Sequence, residues 1–348
     1  MKKLTAFFTA AILTAMLAVL TGCGNDDENV IRVFNWGNYM DLSLLDEFTA
    51  ETGITVQYTT FASNEEMYTR VTAGGTGFDL LFPSDYMIER MIREELLAPL
   101  NFDNIPNFSY VDPRFLHLAY DPENRYSAPY KWGTLGILYN TTMVQEPVYS
   151  WNILWNQEYA GQIFMYDSMR DSFTVALKRL GFSLNTTNID ELTAARDSLI
   201  EQRPLVRAYV GDDVKHMMIN REAALAVVYS GDAMFTMELN PELNYVVPIE
   251  GSNIWVDAMV IPYNARNQAG AEAFINFMHR PDVALRNTLY IGFSTTNTAA
   301  FEMLPEEWQN NPVYWPPDDV YYRSEVFVHL GEFNAAFERA WTEVLAAQ

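Results

Sequence analysis

The sequence predicts an α/β protein built on mostly parallel, doubly wound sheet, and three observations predict it. Short apolar runs of strand length alternate along the chain with segments of helical period. Turn chemistry follows directly on the strand-like runs, as Pro83-Ser84-Asp85 follows Phe78 to Phe82. No internal repeat and no Gly/Ser-rich or Pro-rich linker interrupts the pattern. A chain of 348 residues, 49% hydrophobic, is long enough for two domains, and the missing tether implies strands that cross between them.

The elements follow in order. Ile31 to Trp36 is an apolar strand, and the stretch Val33 to Met40 then places Trp36 and Tyr39 on the turn where the strand ends. Asp41 opens a helix with Leu42, Leu44, Leu45 and Phe48 on or near one face, stopped by Gly53. Ile54 to Tyr58 alternates with the strand period of two. Ser63-Asn64-Glu65-Glu66 is a capping box for a helix ending at Gly74-Gly75. Phe78 to Phe82 is the third strand. Three strands joined by two helices imply a parallel sheet, whose ligands sit outside the carboxyl ends of the strands. Further on, Phe164 to Tyr166 precedes a helix opened by Asp167 to Asp171. Ala223 to Tyr229 ends in Ser230-Gly231-Asp232, and Ile254 to Pro262 leads through Asn264 to Asn267 into a helix over Ala271 to His279.

Residues 1–22 read as an export signal: Lys2 and Lys3, an apolar run from Ala6 to Leu20, then small residues before Cys23. Leu20-Thr21-Gly22-Cys23 resembles the lipobox of bacterial lipoproteins, which implies lipidation of Cys23, the single cysteine of the chain. Residues 23–29 read as a hydrophilic tether. No second apolar run reaches the ~20 residues of a membrane-spanning helix, so the expected body is extracytoplasmic and held to the membrane through its N-terminal lipid. The 45 acidic against 22 basic side chains, a formal net charge of −23, repel nucleic acid and favour cations.

Five segments, Phe34-Asn35-Trp36, Glu51-Thr52-Gly53-Ile54, Ser63 to Tyr68, Pro129-Tyr130 with Trp132-Gly133, and Trp255-Val256-Asp257, occur in the order and spacing of one family. The chain resembles, from about residue 30 to its C-terminal helix, the spermidine/putrescine-binding component of bacterial polyamine ABC importers. The resemblance implies a two-lobed periplasmic-binding-protein fold of type II, each lobe a sheet flanked by helices, with a ligand cleft between them. It divides the chain into lobe 1, residues 30–134 plus about 258–300, and lobe 2, residues 135–257 plus about 301–348. It implies a monomer that hands a polyamine to ABC permease subunits, with no cofactor.

The same resemblance implies that Trp36, Tyr39, Tyr86, Tyr229 and Trp255 wall the cleft, that Asp171 and Asp257 are its anions and that Ser84 is its hydroxyl. The chemistry agrees. A polyamine is a methylene chain carrying ammonium groups, so its receptor needs aromatic walls and fixed carboxylates; cation–π contact contributes about 0.5–2 kcal/mol and a hydrogen bond to a charged group about 1.5–3 kcal/mol. Tyr229 stands where the family has a tryptophan. Ser168 stands where the spermidine-binding pattern has a second acid three residues before Asp171, and Asn38 where some members have an acid. Phe293 and Phe327 stand for a tyrosine and a glutamine, and Asp85 beside Ser84 is a compensating acid. The choice between spermidine and putrescine stays open.

Other classes find less support. His117, His216, His279 and His329 are scattered without a His-x-x-x-His pair, so neither a zinc site nor a catalytic metal is expected. Gly74-Gly75-Thr76-Gly77 lacks the lysine of a phosphate loop and reads as a turn. An enzyme is therefore not expected. The alternatives within this fold are a sugar receptor, which also uses tryptophan walls, and a ferric-ion receptor, which uses clustered tyrosines.

Overall fold

The computed structural model describes residues 29–73 and 77–347. The signal sequence, Cys23, all of the tether but Asn29 and the Gly74-Gly75-Thr76 turn lie outside the described residues.

β1 (Val30–Trp36) is flanked by β2 (Thr55–Phe61) and β3 (Leu80–Leu81), both parallel to it. Val33 and Phe34 explain why such a strand reads as continuously apolar rather than alternating. Val33 packs under Leu44, Phe48 and Phe274, while Phe34 packs on the other face with Met87, Ile88 and Leu81. Both faces are covered by helices. The helix Ser43–Thr52 stops at Gly53, whose φ of 74° closes the turn in the left-handed region. Ser63 Oγ accepts from the Glu66 amide at 3.1 Å as the capping box requires, while the Glu66 carboxylate reaches one residue further, to the Ala62 amide.

After the short β4 (Leu97–Ala98) comes β5 (Ser127–Asn140), which the sequence pattern hid. Pro129, Gly133 and Gly136 argue locally against a strand. Pro129 is accommodated by a bulge, where Asp257 and Ala258 face Lys131 and Pro129. Residues Ser127 to Thr134 of β5 pair with β10 (Ile254–Pro262), whereas Leu135 to Asn140 pair with β8 (Leu225–Tyr229) and β9 (Leu243–Val246). One strand thus leaves the first sheet and enters the second. The second sheet adds β6 (Ile163–Tyr166), parallel to β8 and to β7 (Val206–Val210). β11 (Ser294–Thr295) pairs with β5. The path β2-β1-β3-β10-β5-β8-β6-β7 runs through both lobes. The sheets are parallel except where the crossing strands enter: β10 runs antiparallel to β3, and β5 antiparallel to β8.

The cores are separate. One holds Ile31, Phe34, Leu81, Phe274 and, from β10, Ile254 and Val256. The other holds Ile163, Phe164, Phe173, Leu199, Val228 and, from the C-terminal helix Asn334–Ala346, Phe337 and Val344. The C-terminal segment touches both. Trp315 and Tyr321 pack with Trp132 in the first core, whereas Leu330 lies in the second. Between them Glu325 exchanges backbone hydrogen bonds with Ser252 and Ile254, both at 2.9 Å, and pairs with Lys178. Each lobe is an α/β sandwich with its own core, and at least β5 and the Glu325 strap join them.

Candidate functional site

The first wall is assembled at the carboxyl ends of β1 and β3. Trp36, at the end of β1, donates its indole N–H to the Phe82 carbonyl at 2.8 Å and rests its ring on Phe61, centroids 4.5 Å apart. Asn38 is exposed and makes the turn, with φ of 53°. Tyr39 swings back inside and sets its ring edge-on against Tyr130 at 5.6 Å and Phe293 at 5.3 Å. The antiparallel pairing of β3 with β10 does the rest: beyond Leu81 opposite Val260, the Ala258 amide donates to Pro83, and Ser84 bridges to Asp257. Ser84 and Asp257, far apart in sequence, become neighbours at the bulge that turns the Asp257 side chain.

Asp257 is 6% exposed. Burial raises its pKa to about 6, and the hydroxyls of Ser84 and Tyr39 that face it oppose the rise. Tyr39 is itself pushed well above the usual phenol range, by burial and then by the Asp257 charge. Asp257 Oδ1 has no hydrogen-bond partner among the described residues.

The second wall rises from β6 and β8. Ser168 caps the helix Met169–Arg179: its Oγ accepts from the Asp171 amide at 3.5 Å. Asp171 lies in the first turn, where the helix dipole favours an anion. Its Oδ2 accepts from Tyr229 Oη at 2.9 Å, while its Oδ1 is buried without a partner among the described residues. Burial raises its pKa, and Ser168, Tyr229 and Arg170 oppose the rise. Tyr229 meets Tyr166 at 5.0 Å and Trp255 at 6.1 Å; Trp255 meets Phe293 at 5.5 Å. A single chain of edge-to-face rings thus runs from Tyr166 in one lobe through Tyr229, Trp255 and Phe293 to Tyr39 in the other. Trp255 Nε1 is also unpartnered among the described residues.

The remaining residues named from sequence lie around this centre. Asp85 is fully buried and spends its oxygens on the backbone amides of Tyr86 (2.7 Å) and Val256 (3.4 Å). Burial raises its pKa well above the carboxylate range, and the nearby Asp257 charge adds to the rise. The Tyr86 hydroxyl is shared between Asn64 and Glu65. Phe327 is buried under the guanidinium of Arg170, 4.3 Å from the ring centre.

Arg170 and Tyr166 were not named from sequence. Arg170 is tied to Asn185 Oδ1 at 2.9 Å and to the Val328 carbonyl, and burial lowers its pKa to about 10 while Asp85 and Asp171 hold it up. Its adjacency to Asp171 was the available signal, but a cation beside an expected cation site invites no attention. Among the described residues no group of three or more His, Cys, Asp or Glu side chains is placed to hold a metal ion, and no helix is long and apolar enough to cross a membrane.

Comparison with known proteins fits this geometry. Residues 43–314 match the family model for bacterial extracellular solute-binding proteins. The spermidine/putrescine-binding periplasmic protein of Escherichia coli K12 is 34% identical over the full length of both chains. The crystal structure of the spermidine/putrescine ABC transporter substrate-binding protein PotD from Streptococcus pneumoniae is 42% identical, with a TM-score of 0.86 over 91% of this chain and 98% of that one. The Tp0655 (TpPotD) lipoprotein of Treponema pallidum, 27% identical, has a TM-score of 0.82 over 90% of this chain and 99% of that one. This chain belongs to the bacterial extracellular solute-binding proteins and, within them, to the family of the spermidine/putrescine-binding periplasmic proteins.

Proposed function

We propose that this chain is an extracytoplasmic solute-binding lipoprotein that captures a polyamine, putrescine or spermidine, between its lobes and delivers it to an ABC permease. The observation that carries the reading is the pair of buried carboxylates, Asp171 on the helix Met169–Arg179 and Asp257 on the crossing strand β10. Each keeps one oxygen unpartnered among the described residues, and the chain of rings runs between them. A buried carboxylate oxygen without a partner is costly unless a cation meets it. Ammonium groups fit those oxygens, and methylenes fit the faces of Trp255 and Tyr229.

Capture involves no covalent step, so the protein is not an enzyme. Trp36, Tyr39, Ser84 and Tyr86 act from lobe 1 and Asp171 and Tyr229 from lobe 2, with Trp255 and Asp257 near the crossing strands. The proposed lobes divide near residue 134, meet again within β10 at about residue 258 and divide again near 300. Contacts to both lobes exist only when the cleft is shut, so ligand shifts the population toward the closed form that the permease recognises. The protein acts as a monomer, and acylated Cys23 holds it at the membrane; that the similar Treponema pallidum protein is a lipoprotein supports that anchor. Cys23→Ser is expected to release the protein into the medium, and unchanged membrane retention rejects lipidation.

The test of the ligand is isothermal titration of residues 24–348, unfolded and refolded to strip carried ligand, with putrescine, cadaverine, spermidine and spermine. Saturable binding of about −8 kcal/mol, a micromolar Kd, is expected for at least one. Silence with all four from a folded protein rejects a polyamine and brings the sugar and ferric-ion readings forward.

A further inference from the structure

Gly231 is a helical glycine with no local reason to be one. It is the second residue of the helix Ser230–Leu239, and its φ is not in the left-handed region. At such a position alanine serves the helix better. What demands glycine is a neighbour from the other lobe. A Cβ on residue 231 would lie 2.2 Å from Phe293 Cε1 and 2.3 Å from its Cδ1, far inside van der Waals contact.

Phe293 follows directly on Gly292, which ends the helix Pro281–Ile291, and it packs against the core that contains Tyr39. Its ring is fixed edge-on by Tyr39 at 5.3 Å and Trp255 at 5.5 Å, so it cannot turn away without disturbing the aromatic chain. The same helix also comes close to β5, at its neighbouring residue Ser230. A Cβ on Gly133 would lie 2.5 Å from Trp255 Cζ2 and 2.7 Å from Ser230 Oγ, and Ser230 Oγ accepts from the Thr134 amide at 3.2 Å.

We infer that Gly231 sets how far the lobes close: its absent side chain is the seat into which the Phe293 ring of the opposite lobe docks. A methyl group at 231 is a spacer that keeps Asp171 and Asp257 too far apart to hold one ligand. The inference rests on the proposed capture between the lobes, and identifies Gly231 as a positioning residue that itself need not touch the ligand.

The test uses the full chain, wild type and Gly231→Ala, in solution X-ray scattering and in titration with putrescine and spermidine. Gly231→Ala is expected to show a larger radius of gyration than wild type under saturating amine, and an affinity weaker by roughly tenfold or more, the effect of one methyl forced into a filled site. Its melting temperature should be unchanged or higher, which separates a spacer from a folding defect. Adding Phe293→Leu to Gly231→Ala should restore the smaller radius.

Wild-type radius and affinity in Gly231→Ala overturn the inference. Should Gly231→Ala fail to fold, Phe293→Trp probes the same seat from the other lobe, and a wild-type scattering curve from that variant overturns the inference equally. If wild type binds neither amine, nor cadaverine or spermine, the polyamine reading fails by itself; closure is then judged on ligand-free curves, where a Gly231→Ala curve no more open than wild type overturns it.

Discussion

Asp257→Asn should make the ligand-free protein more stable at neutral pH while weakening capture. In the folded protein the carboxyl titrates at about 6 because burial disfavours its charge, against about 3.9 in an unfolded chain. The folded state therefore binds more protons at this site between those values, so the contribution of Asp257 to stability is highest below pH 3.9 and is lost as pH rises through 6. A difference of about two units amounts to ~3 kcal/mol lost at pH 7. Asparagine removes the charge and keeps the shape. With an unfolding entropy of about 2.1 cal/mol/K per residue over about 320 residues, ~3 kcal/mol corresponds to a rise of ~4 °C in Tm. Binding moves the other way, because an ammonium group loses its charged acceptor. That loss, about 1.5–3 kcal/mol, weakens affinity by roughly tenfold to a hundredfold. Differential scanning calorimetry at pH 7 and titration with putrescine and spermidine read both effects on one sample. A variant that melts at or below wild type, or that binds as wild type does, refutes the reasoning: the first denies that charge is stored at residue 257, the second that a ligand meets it.

Other outcomes follow from the same geometry. Wild-type affinity should rise with pH up to about 6, as Asp257 ionises, and level off above; a profile flat from pH 4.5 to 7.5 in titration calorimetry removes Asp257 from the site. Trp255→Ala should weaken binding more than Tyr229→Ala, since Trp255 joins the two halves of the ring chain between Tyr229 and Phe293; the opposite order in a titration series refutes that assignment. Lys131 is 1% exposed, bonded to Thr288 Oγ1, and burial lowers its pKa to about 7. The unfolded state then binds more protons between pH 7 and about 10.4, so stability rises with pH across that window. Lys131→Met should abolish the rise and increase Tm at pH 7, measured by thermal denaturation; a lower Tm means that the Thr288 bond outweighs the buried amine.

The residues at the strand ends show what was readable. Ile31 to Trp36 announced a buried strand, and Phe78 to Phe82 one that is realised only at Leu80–Leu81, because their apolar runs are local; the position of ligands outside parallel strand ends then made Trp36, Tyr39, Ser84 and Tyr86 the expected site residues without any coordinates. The helix stop at Gly53 and the cap at Ser63 were legible for the same reason, since the atoms involved lie within a few residues of one another.

β5 was not legible, because Pro129, Gly133 and Gly136 contradict strand propensity and are tolerated only where a bulge, Trp255 and Tyr245 occupy the space they leave. The joining of Ser84 to Asp257, of Tyr229 to Asp171 and of Phe293 to Gly231 was equally hidden. Each pair is set by strand register or lobe packing across a long sequence separation, and no local signal encodes it. By itself the sequence determined the elements whose signals are local, β5 excepted, and the family. The tertiary structure alone decided which carboxylate oxygens are buried unpartnered and how closely the lobes approach, because burial and distance are properties of the packed whole rather than of any segment.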